Sequence, residues 1–445
     1  MRRRSILWSG LLCFLLPLLS AAQTRYIIRP TPTGSITGID GRHGLTLVGR
    51  LDDENRGIYI ITAPSNINPA ELIADVDADP EVTDIELDSK LALTESPTSL
   101  NQSSVAILDS MPAPGAVGYY GAPVLGLYLS QPATSIIRLS DAQATFGTTG
   151  AGIVAVVDTG VDPNHSALQG VLVPGYDFVH SVAGSGSELV DLPEGNLAAL
   201  SQSNPDPASK TQQLRLSQSS VAILDQSSVA ILDTTTLPKF FGHGTMVAGV
   251  VHLVAPTAKI MPLKAFDGDG TARLSDILRA IYYAADNGAK VINMSFSVLT
   301  GSVELADAVG YATEQSVIVV ASTGNTGTNF VANPAAMPEV MGVASTTNND
   351  TRSQFSSYGP GTFVAAPGEQ VITLYPGQNY ALASGTSFSA PMVAGTAALT
   401  VQVNPVASYS NASSAISQAK PLSSDLGHGR LDVYQAMQYA TGAAK

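Results

Sequence analysis

Short apolar runs alternate with helical patterns through the larger, carboxyl-terminal part of the chain. Residues 152–160, 290–297 and 316–325 read GIVAVVDTG, KVINMSFS and SVIVVASTGN, and each apolar run ends in turn residues. Between the first two lies LSDILRAIYYAADNGAK at 274–290, with apolar residues at helical spacing. Strands that are apolar on both faces and alternate with helices predict an α/β fold, in which helices cover both faces of a mostly parallel sheet. Functional groups in such sheets gather at the carboxyl ends of the strands.

The part of the chain before residue 136 has a different pattern of apolar and polar residues. Residues 23–92 contain strand-like runs, among them VTDIELD at 82–88, and a helical spacing in NPAELIADVDADPEV at 68–82. Residues 93–135 are rich in Ser, Pro, Gly and Tyr and have no sustained period. We therefore predict a small α+β unit, a linker, and an α/β domain over 136–445.

The first 22 residues, MRRRSILWSGLLCFLLPLLSAA, have a basic start, an apolar stretch and a small-residue end. This pattern predicts a signal peptide over 1–22 and a secreted, extracellular protein. A membrane anchor is the alternative, but the apolar run is short and contains Pro17. Cys13 is the only cysteine, so its removal would exclude disulfides, cysteine nucleophiles and cysteine-based zinc sites.

Composition narrows the possible partners. The 445 residues carry a net charge of −14, and 44% of them are hydrophobic. The chain is long enough for one large domain and a small one. An acidic chain argues against nucleic acid and anionic membranes, which bind clustered Lys and Arg. We expect no nucleic-acid partner, and no membrane association once the signal is removed.

Three motifs carry candidate chemistry. Asp158 ends the apolar run of VAVVDTGVDPNH, His243 stands between glycines in FGHGTMVAGVV, and Ser387 precedes an apolar helix in ASGTSFSAPMVAGTAAL. Taken singly, they also fit a turn aspartate, a structural histidine and a helix N-cap serine. Together they supply a nucleophile, the base that a serine hydroxyl needs, and a carboxylate to orient that base. Asn325 in VVASTGN adds a candidate oxyanion donor, with a turn asparagine as the alternative.

With these four motifs in this order, residues from about 136 to 440 resemble the subtilisin-like serine proteases. The resemblance implies a three-layer α/β fold and a serine endopeptidase that acts as a monomer on polypeptide substrates through an acyl-enzyme. Asp158 would orient His243, the general base and then general acid; Ser387 would attack the carbonyl, and Asn325 would bind the oxyanion. An extended peptide would lie between two segments whose alternative role is ordinary sheet core. Those segments comprise Ser295, Phe296 and Ser297 on one side, and Ala321, Ser322, Thr323 and Gly324 on the other.

The resemblance also bears on processing and cofactors. Residues 23–92 resemble, more loosely, the family's inhibitory, folding-assisting propeptide, which the enzyme usually removes by self-cleavage; the cut would lie within about 88–135. No cofactor or catalytic metal is expected. Structural calcium is possible, but no site is identified, because the calcium loop of several relatives is missing after the His243 helix. The wide spacing between Asp158 and His243 indicates an insertion over about 181–237.

Other functions fit the motifs less well. A related family of acid-acting serine peptidases pairs its serine with a glutamate and has an aspartate where Asn325 stands here. The lipase elbow G-x-S-x-G fails because residue 389 is Ser, and no H-E-x-x-H zinc motif occurs. A non-enzymatic binding module on an inactive protease scaffold is a further alternative. An inactive copy commonly lacks one of the catalytic groups, whereas this chain contains all of them.

One eight-residue unit, QSSVAILD, occurs three times, at 102–109, 218–225 and 226–233. It contains no member of the candidate triad, and its VAIL core favours a strand. One interpretation is that a short duplication lengthened a surface loop between Asp158 and His243. The other is that the copy in the linker pairs with one of the tandem copies, tying the linker to the α/β domain. Identical strands would leave the register of such a pair poorly specified.

Overall fold

The computed structural model describes residues 23–51, 56–93, 106–108, 116–192, 237–406 and 408–443. The expected signal peptide, the two tandem QSSVAILD copies and most of the expected insertion lie outside these residues. The chain divides into two compact units, Met1–Asp88 and Ser89–Lys445. The division falls at Asp88, whereas the sequence pattern predicts the end of the small unit at 92.

The first unit is an antiparallel sheet with two helices, as its α+β pattern predicts. Its elements are β1 (Gln23–Pro30), α1 (Ile36–His43), β2 (Thr46–Arg50), β3 (Tyr59–Pro64), α2 (Pro69–Asp77) and β4 (Val82–Leu87), with sheet order β2-β3-β1-β4. Helix α2 begins where the Asn68 side chain accepts a hydrogen bond from the Ala70 amide at 3.0 Å. Leu72 and Val76, one turn apart, are buried in the core of this unit.

The second unit begins with short strands and helices and continues into an α/β domain. Its strands are β5 (Lys90–Ala92), β6 (Ala106–Leu108), β7 (Ala116–Tyr119), β8 (Ala122–Leu125), β9 (Ile153–Asp158), β10 (Tyr176–Asp177), β11 (Val182–Ala183), β12 (Lys259–Lys264), β13 (Thr271–Arg273), β14 (Ala289–Met294), β15 (Ile318–Ser322), β16 (Val340–Thr346), β17 (Val364–Pro367), β18 (Val371–Tyr375) and β19 (Asn379–Ala383). Its α-helices are α3 (Gly126–Leu129), α4 (Pro132–Ile136), α5 (Leu139–Phe146), α6 (His243–Val254), α7 (Leu274–Asp286), α8 (Val303–Glu314), α9 (Thr386–Val403), α10 (Tyr409–Ile416) and α11 (Val433–Ala440). Two 3₁₀ turns lie at Glu188–Asp191 and Ser424–Leu426.

An eight-stranded sheet, ordered β11-β10-β12-β9-β14-β15-β16-β17, forms the centre of this unit. Every neighbouring pair is parallel except β10 and β11. Val154 and Val156 of β9 belong to one core with α6 and α9, while α7 and α8 cover the opposite face. The three-layer α/β fold expected from the apolar strands is confirmed.

The register brings the carboxyl ends of the middle strands to one edge of the sheet. Met294, the last residue of β14, pairs with Val157 of β9 and with Ala321 of β15. Asp158 therefore lies level with the residues that directly follow Met294. This alignment places the ends of β9, β14 and β15 side by side.

The expected linker is structured over much of its described length. A hairpin of β7 and β8 is followed by α3 and α4, and these elements pack on α6. Tyr128 is fully buried and donates a hydrogen bond from its hydroxyl to Gly249 O at 2.6 Å. Tyr119 donates similarly to Leu253 O at 2.9 Å. Tyrosine hydroxyls that donate to buried carbonyls thus attach residues 116–136 to the core. Such contacts produce no hydrophobic periodicity in the sequence.

The first QSSVAILD copy contributes strand β6, which pairs antiparallel with β19 in a sheet ordered β18-β19-β6. The register joins Leu108 to Tyr380 and Ala106 to Leu382. The linker therefore pairs with β19, a distant strand of the same unit. Pairing with the tandem copies stays a prediction, because those copies lie outside the described residues. None of the helices within the described ranges is both long and apolar enough to cross a membrane.

Candidate active site

The candidate triad residues lie at the ends of three regular elements. Asp158 is the last residue of β9, His243 is the first residue of α6, and Ser387 is the second residue of α9. Element ends expose backbone groups and direct short side chains toward one edge, which is why catalytic groups occur there. All three side chains are largely buried, with exposures of 1%, 7% and 9% in that order.

Asp158 and His243 are in direct contact. His243 Nδ1 lies 2.7 Å from Asp158 Oδ1, which also accepts the Thr159 amide at 2.7 Å. A carboxylate can only accept here, so Nδ1 carries the hydrogen and Nε2 is the basic nitrogen of the neutral ring. Burial strengthens this bond, since little water competes for either partner.

Ser387 is held against the end of β14 by reciprocal hydrogen bonds. Its hydroxyl donates to Ser295 O at 3.3 Å, while Ser295 Oγ donates to Ser387 O at 2.9 Å. Asn293 in turn donates from Nδ2 to Ser295 Oγ at 2.9 Å. The ring of Phe388, the next residue, lies with its centroid 5.8 Å from that of His243. The start of α9 is therefore beside the imidazole.

Asn325 is fixed by the residue that precedes the serine. Its Oδ1 accepts from both the amide and the hydroxyl of Thr386, each at 2.9 Å. Because both bonds engage the carbonyl oxygen, the amide nitrogen points away from Thr386. The half-buried side chain thus presents an N–H donor next to the Ser387 turn.

The two expected cleft walls flank this site. Ser295 is buried under the Ser387 turn, and Phe296 is buried with its ring 5.1 Å from that of Phe266. Ser297 approaches the opposite wall: its hydroxyl is 3.2 Å from the point where a Cβ on Gly324 would stand. The remaining members of that wall, Ala321, Ser322 and Thr323, are buried.

A short strand from the chain itself ends near His243. Strand β5 pairs antiparallel with β13, with Leu91 opposite Ala272. Leu93 N donates to Gly270 O at 2.8 Å, and Gly270 lies against the Phe240 ring. That ring is 6.3 Å from the His243 imidazole, centroid to centroid. Residues 90–93 therefore form an added strand that ends close to His243, a placement the sequence pattern did not reveal.

Close backbone packing joins the Asp158 and His243 segments. Gly160 has φ +101°, and a Cβ there would lie 2.6 Å from Glu188 N. A Cβ on Gly244 would lie 2.0 Å from Gly160 O. Only glycine permits three backbones to meet this closely. This close packing explains why a glycine stands two residues after Asp158 and another directly follows His243.

Two buried ionisable residues beneath the site were missed by the sequence analysis. Glu188 has 0% exposure and hydrogen-bonds to the segments on either side of the Asp158–His243 pair. Lys264 also has 0% exposure and binds Asp191 Oδ2 at 2.5 Å, Thr159 O at 2.9 Å and Phe266 O at 2.8 Å. Glu188 falls inside the expected insertion, and no motif surrounds it. A sequence pattern cannot identify a buried carboxyl in a Gly- and Ser-rich segment.

No metal centre accompanies these groups within the described ranges, where no three His, Cys, Asp or Glu side chains cluster in a way that could hold an ion. The acidic and basic groups of the site are instead engaged with one another or with the backbone.

Comparison with known proteins agrees with this geometry. The model of the subtilase family matches residues 150–433. Thermitase from Thermoactinomyces vulgaris is 33% identical over 300 residues, covering 64% of this chain and 88% of thermitase. Subtilisin BL from Lederbergia lenta is 40% identical over 179 residues, covering 38% of this chain and 66% of that protein.

Among solved structures, a lanthipeptide protease shares the fold with a TM-score of 0.53 and 23% identity. The similarity covers 70% of this chain and 94% of that protease. The family match spans more than half of the chain, and thermitase is covered over most of its length. The chain therefore belongs to the subtilase family and is a serine endopeptidase.

Proposed function

We propose that this protein is a secreted endopeptidase that cleaves peptide bonds with Asp158, His243 and Ser387 and is made as a self-processed precursor. The observation that carries the proposal is the buried 2.7 Å contact between His243 Nδ1 and Asp158 Oδ1, with the Ser387 turn beside the same ring. A serine, an oriented imidazole and a buried carboxylate are the groups that acyl transfer requires.

In the first half of the reaction, Ser387 Oγ attacks the scissile carbonyl carbon as its proton passes to His243 Nε2. The hydroxyl turns from Ser295 O toward the imidazole when substrate binds, since catalytic hydrogen bonds often form only in the complex. The carbonyl electron pair moves to oxygen. Its return breaks the C–N bond, and His243 gives the proton to the leaving amine, which leaves an acyl-enzyme.

In the second half, a water molecule attacks the acyl carbon and His243 takes its proton. Collapse releases the new carboxyl group, and the proton returns to Ser387 Oγ. Asp158 orients the His243 ring and stabilises the imidazolium formed in each half. Since nucleophile, base and carboxylate all come from the chain, the reaction needs no cofactor.

The oxyanion of both tetrahedral intermediates is bound by Asn325 Nδ2 and the Ser387 amide. The two hydrogen bonds from Thr386 to Asn325 Oδ1 support this assignment, because they engage the carbonyl oxygen and leave the amide nitrogen to donate. The Ser387 amide lies in the first turn of α9, where the backbone N–H groups have no helical partner and favour negative charge. Such donors are most effective when they are fixed before the reaction.

Polypeptide substrates bind as an added strand along β13, in the manner of β5. The walls comprise Ser295 to Ser297 on one side and Ala321 to Gly324 on the other. The small, neutral residues Ser295, Ser297, Thr323 and Gly324 favour broad specificity, with apolar side chains accepted before the cut. No carboxylate among the proposed wall residues would demand Lys or Arg.

The first unit acts as the propeptide, and the added strand β5 occupies the substrate edge until the chain is cut. The hydrogen bond from Leu93 N to Gly270 O supports a cut soon after Leu93. Residues 1–22 act as the secretory signal. The mature enzyme works outside the cell as a monomer, with no nucleic acid or membrane partner.

A fluorophosphonate probe tests the proposal, because it reacts covalently with an activated serine. We expect wild-type enzyme freed of its propeptide to be labelled, and Ser387→Ala to abolish the label. Ser387→Ala or His243→Ala should lower kcat by about 10⁶-fold, the loss known for the corresponding groups of subtilisin. A wild-type protein that takes no label dependent on Ser387 would refute the proposed mechanism.

A further inference from the structure

Glu188 lies between the two chain segments that carry Asp158 and His243. It begins the 3₁₀ turn Glu188–Asp191, where the Ser187 hydroxyl accepts a hydrogen bond from Leu189 N at 3.2 Å. The Glu188 side chain is directed inward and has no solvent exposure. A carboxyl in such a place costs free energy unless several donors or acceptors satisfy it.

Its two oxygens contact both segments. Oε2 accepts from the Gly242 amide at 2.9 Å and from the Thr159 hydroxyl at 3.4 Å, and Oε1 is hydrogen-bonded to Thr245 Oγ1. Thr159 directly follows Asp158, whereas Gly242 and Thr245 lie on either side of His243. One carboxyl group therefore links the end of β9 to the start of α6.

The linked groups make further bonds to one another. Gly244 N donates to Thr159 Oγ1 at 3.0 Å, and Asp162 N donates to Thr245 Oγ1 at 2.7 Å. Thr159 and Thr245 both have 0% exposure. Water cannot readily replace a lost partner at such depth, so removing the Glu188 carboxyl would leave the Gly242 amide and two hydroxyls to find new partners.

From these contacts we propose that Glu188 is a positioning residue for peptide hydrolysis. It holds the first turn of α6 in register with the end of β9, and so keeps the His243 imidazole aligned between Asp158 and Ser387. This inference rests on the proposed catalytic roles of those three residues. It assigns a role in catalysis to a side chain that never touches substrate.

The surroundings of Glu188 indicate that its role depends more on the positions of its hydrogen-bonding atoms than on a negative charge. Burial raises the pKa of its carboxyl well above the ordinary value, and the nearby Asp162 and Asp158 act in the same direction. Thr245 and Lys264 oppose this rise. The Thr245 hydroxyl donates to Oε1 and the Gly242 amide donates to Oε2. A glutamine amide can replace both contacts, because its oxygen accepts from the Gly242 amide and its nitrogen can donate to the hydroxyl oxygen of Thr245.

The test compares Glu188→Ala and Glu188→Gln, with active enzyme counted by fluorophosphonate titration. We expect the alanine variant to lower kcat by about 10- to 100-fold, because small misplacements of a catalytic base are costly. KM should stay within about threefold of wild type, since substrate contacts are intact. Glutamine should restore most of the lost kcat. Val190→Ala, which changes a 54% exposed side chain of the same turn, is the matched control and should leave kcat unchanged.

Thr245→Val provides a second route if the alanine variant does not fold. Valine keeps the shape of threonine and removes only the hydroxyl that Glu188 contacts. It should lower kcat by itself. Where Glu188→Ala folds, the double variant Glu188→Ala/Thr245→Val should have nearly the kcat of Glu188→Ala alone, because both changes break one network. Two results would overturn the inference while leaving the mechanism intact, provided that each variant is labelled normally. One is an unchanged kcat in Glu188→Ala, and the other is an unchanged kcat in both Thr245→Val and Thr159→Val. An equal loss in the alanine and glutamine variants, or a loss confined to KM, would also overturn it. Absence of label in the wild type would instead refute the mechanism itself.

Discussion

Asn325 directs its side-chain amide away from Thr386, because both hydrogen bonds from Thr386 engage the carbonyl oxygen. Because only the oxygen end of the side-chain amide is hydrogen-bonded to Thr386, the side chain is oriented without being fully buried. The asparagine is half-buried and next to the proposed nucleophile. A donor fixed in this way loses little entropy when the oxyanion forms.

Replacing Asn325 with alanine should lower kcat by about 10²- to 10³-fold, or about 3 to 4 kcal/mol, the range known for the equivalent donor of subtilisin. KM should change little, since the lost bond forms mainly in the transition state. Steady-state kinetics on a peptide substrate measure both values. A loss smaller than tenfold would show that another group is the oxyanion donor.

His252 shows a different consequence of burial. It lies in the middle of α6 with 1% exposure, and neither ring nitrogen has a hydrogen-bond partner among the described residues. The Tyr119 ring contacts it edge-on at 5.5 Å between centroids. Burial lowers its pKa from 6.5 to about 4, with His165 nearby adding to the effect. The folded protein therefore keeps this ring neutral where the unfolded chain protonates it.

Acid should therefore destabilise the fold through His252. As pH falls below 6.5 the unfolded chain gains a proton that the folded chain cannot take up until about pH 4. The group alone would cost up to about 3 kcal/mol over that window, and none above it. In a Ser387→Ala background that prevents self-digestion, His252→Leu should reduce the drop in urea midpoint between pH 6.5 and 4. Replacing the exposed His428 serves as the control; an equal pH dependence in wild type and His252→Leu would contradict the prediction.

At the scale of elements, the β18–β19 hairpin connects the two sides of the site. Thr373 of β18 donates to Met246 O of α6 at 2.6 Å, and β19 leads directly into the Ser387 turn. Strand β6, from the first QSSVAILD copy, covers the outer edge of β19. The repeat is thus attached to an element that reaches both His243 and Ser387. A strand paired at an otherwise open edge protects its neighbour's backbone.

Proline in β6 tests this pairing, because it removes a backbone N–H and disfavours a ladder. We expect Ile107→Pro to raise hydrogen exchange in a peptide covering Asn379–Ala383. The same change at Ile223 and Ile231, in the tandem copies, is the matched control and should leave β19 protected. If the tandem prolines expose β19 as strongly as Ile107→Pro does, the tandem copies share the edge. A further deletion of residues 226–233 that alters exchange in the linker would favour the predicted pairing between copies.

At the scale of the whole molecule, the chain contains a separate small unit followed by a strand seated on the larger one. Leu274 N donates to Ser89 O and Leu93 N to Gly270 O, at 2.9 and 2.8 Å, so residues 89–93 are bonded at both ends. Leu93 is thus held at Gly270, which lies against the Phe240 ring beside His243. Tethering makes a cut soon after Leu93 effectively intramolecular and favours self-processing.

Precursor processing should depend on the catalytic serine. We expect purified precursor carrying Ser387→Ala to remain full length, while the wild type is cut. The new amino terminus of the wild type, found by sequencing, should begin among the residues that directly follow Leu93. Normal maturation of the serine variant in isolation would show that another protease makes the cut. A terminus that begins before Ser89 or after Leu108 would show that β5 does not mark the site.

The sequence alone determined the fold class and the candidate catalytic residues. Apolar runs on both faces specify a buried parallel sheet, and short motifs at strand and helix ends identify Asp158, His243, Ser387 and Asn325, because local chemistry suffices there. Only the tertiary structure revealed Glu188, Lys264, the structured residues 116–136 and the strands β5 and β6. Their roles depend on burial and on pairing with residues distant in the chain, and neither property has a local pattern in the sequence.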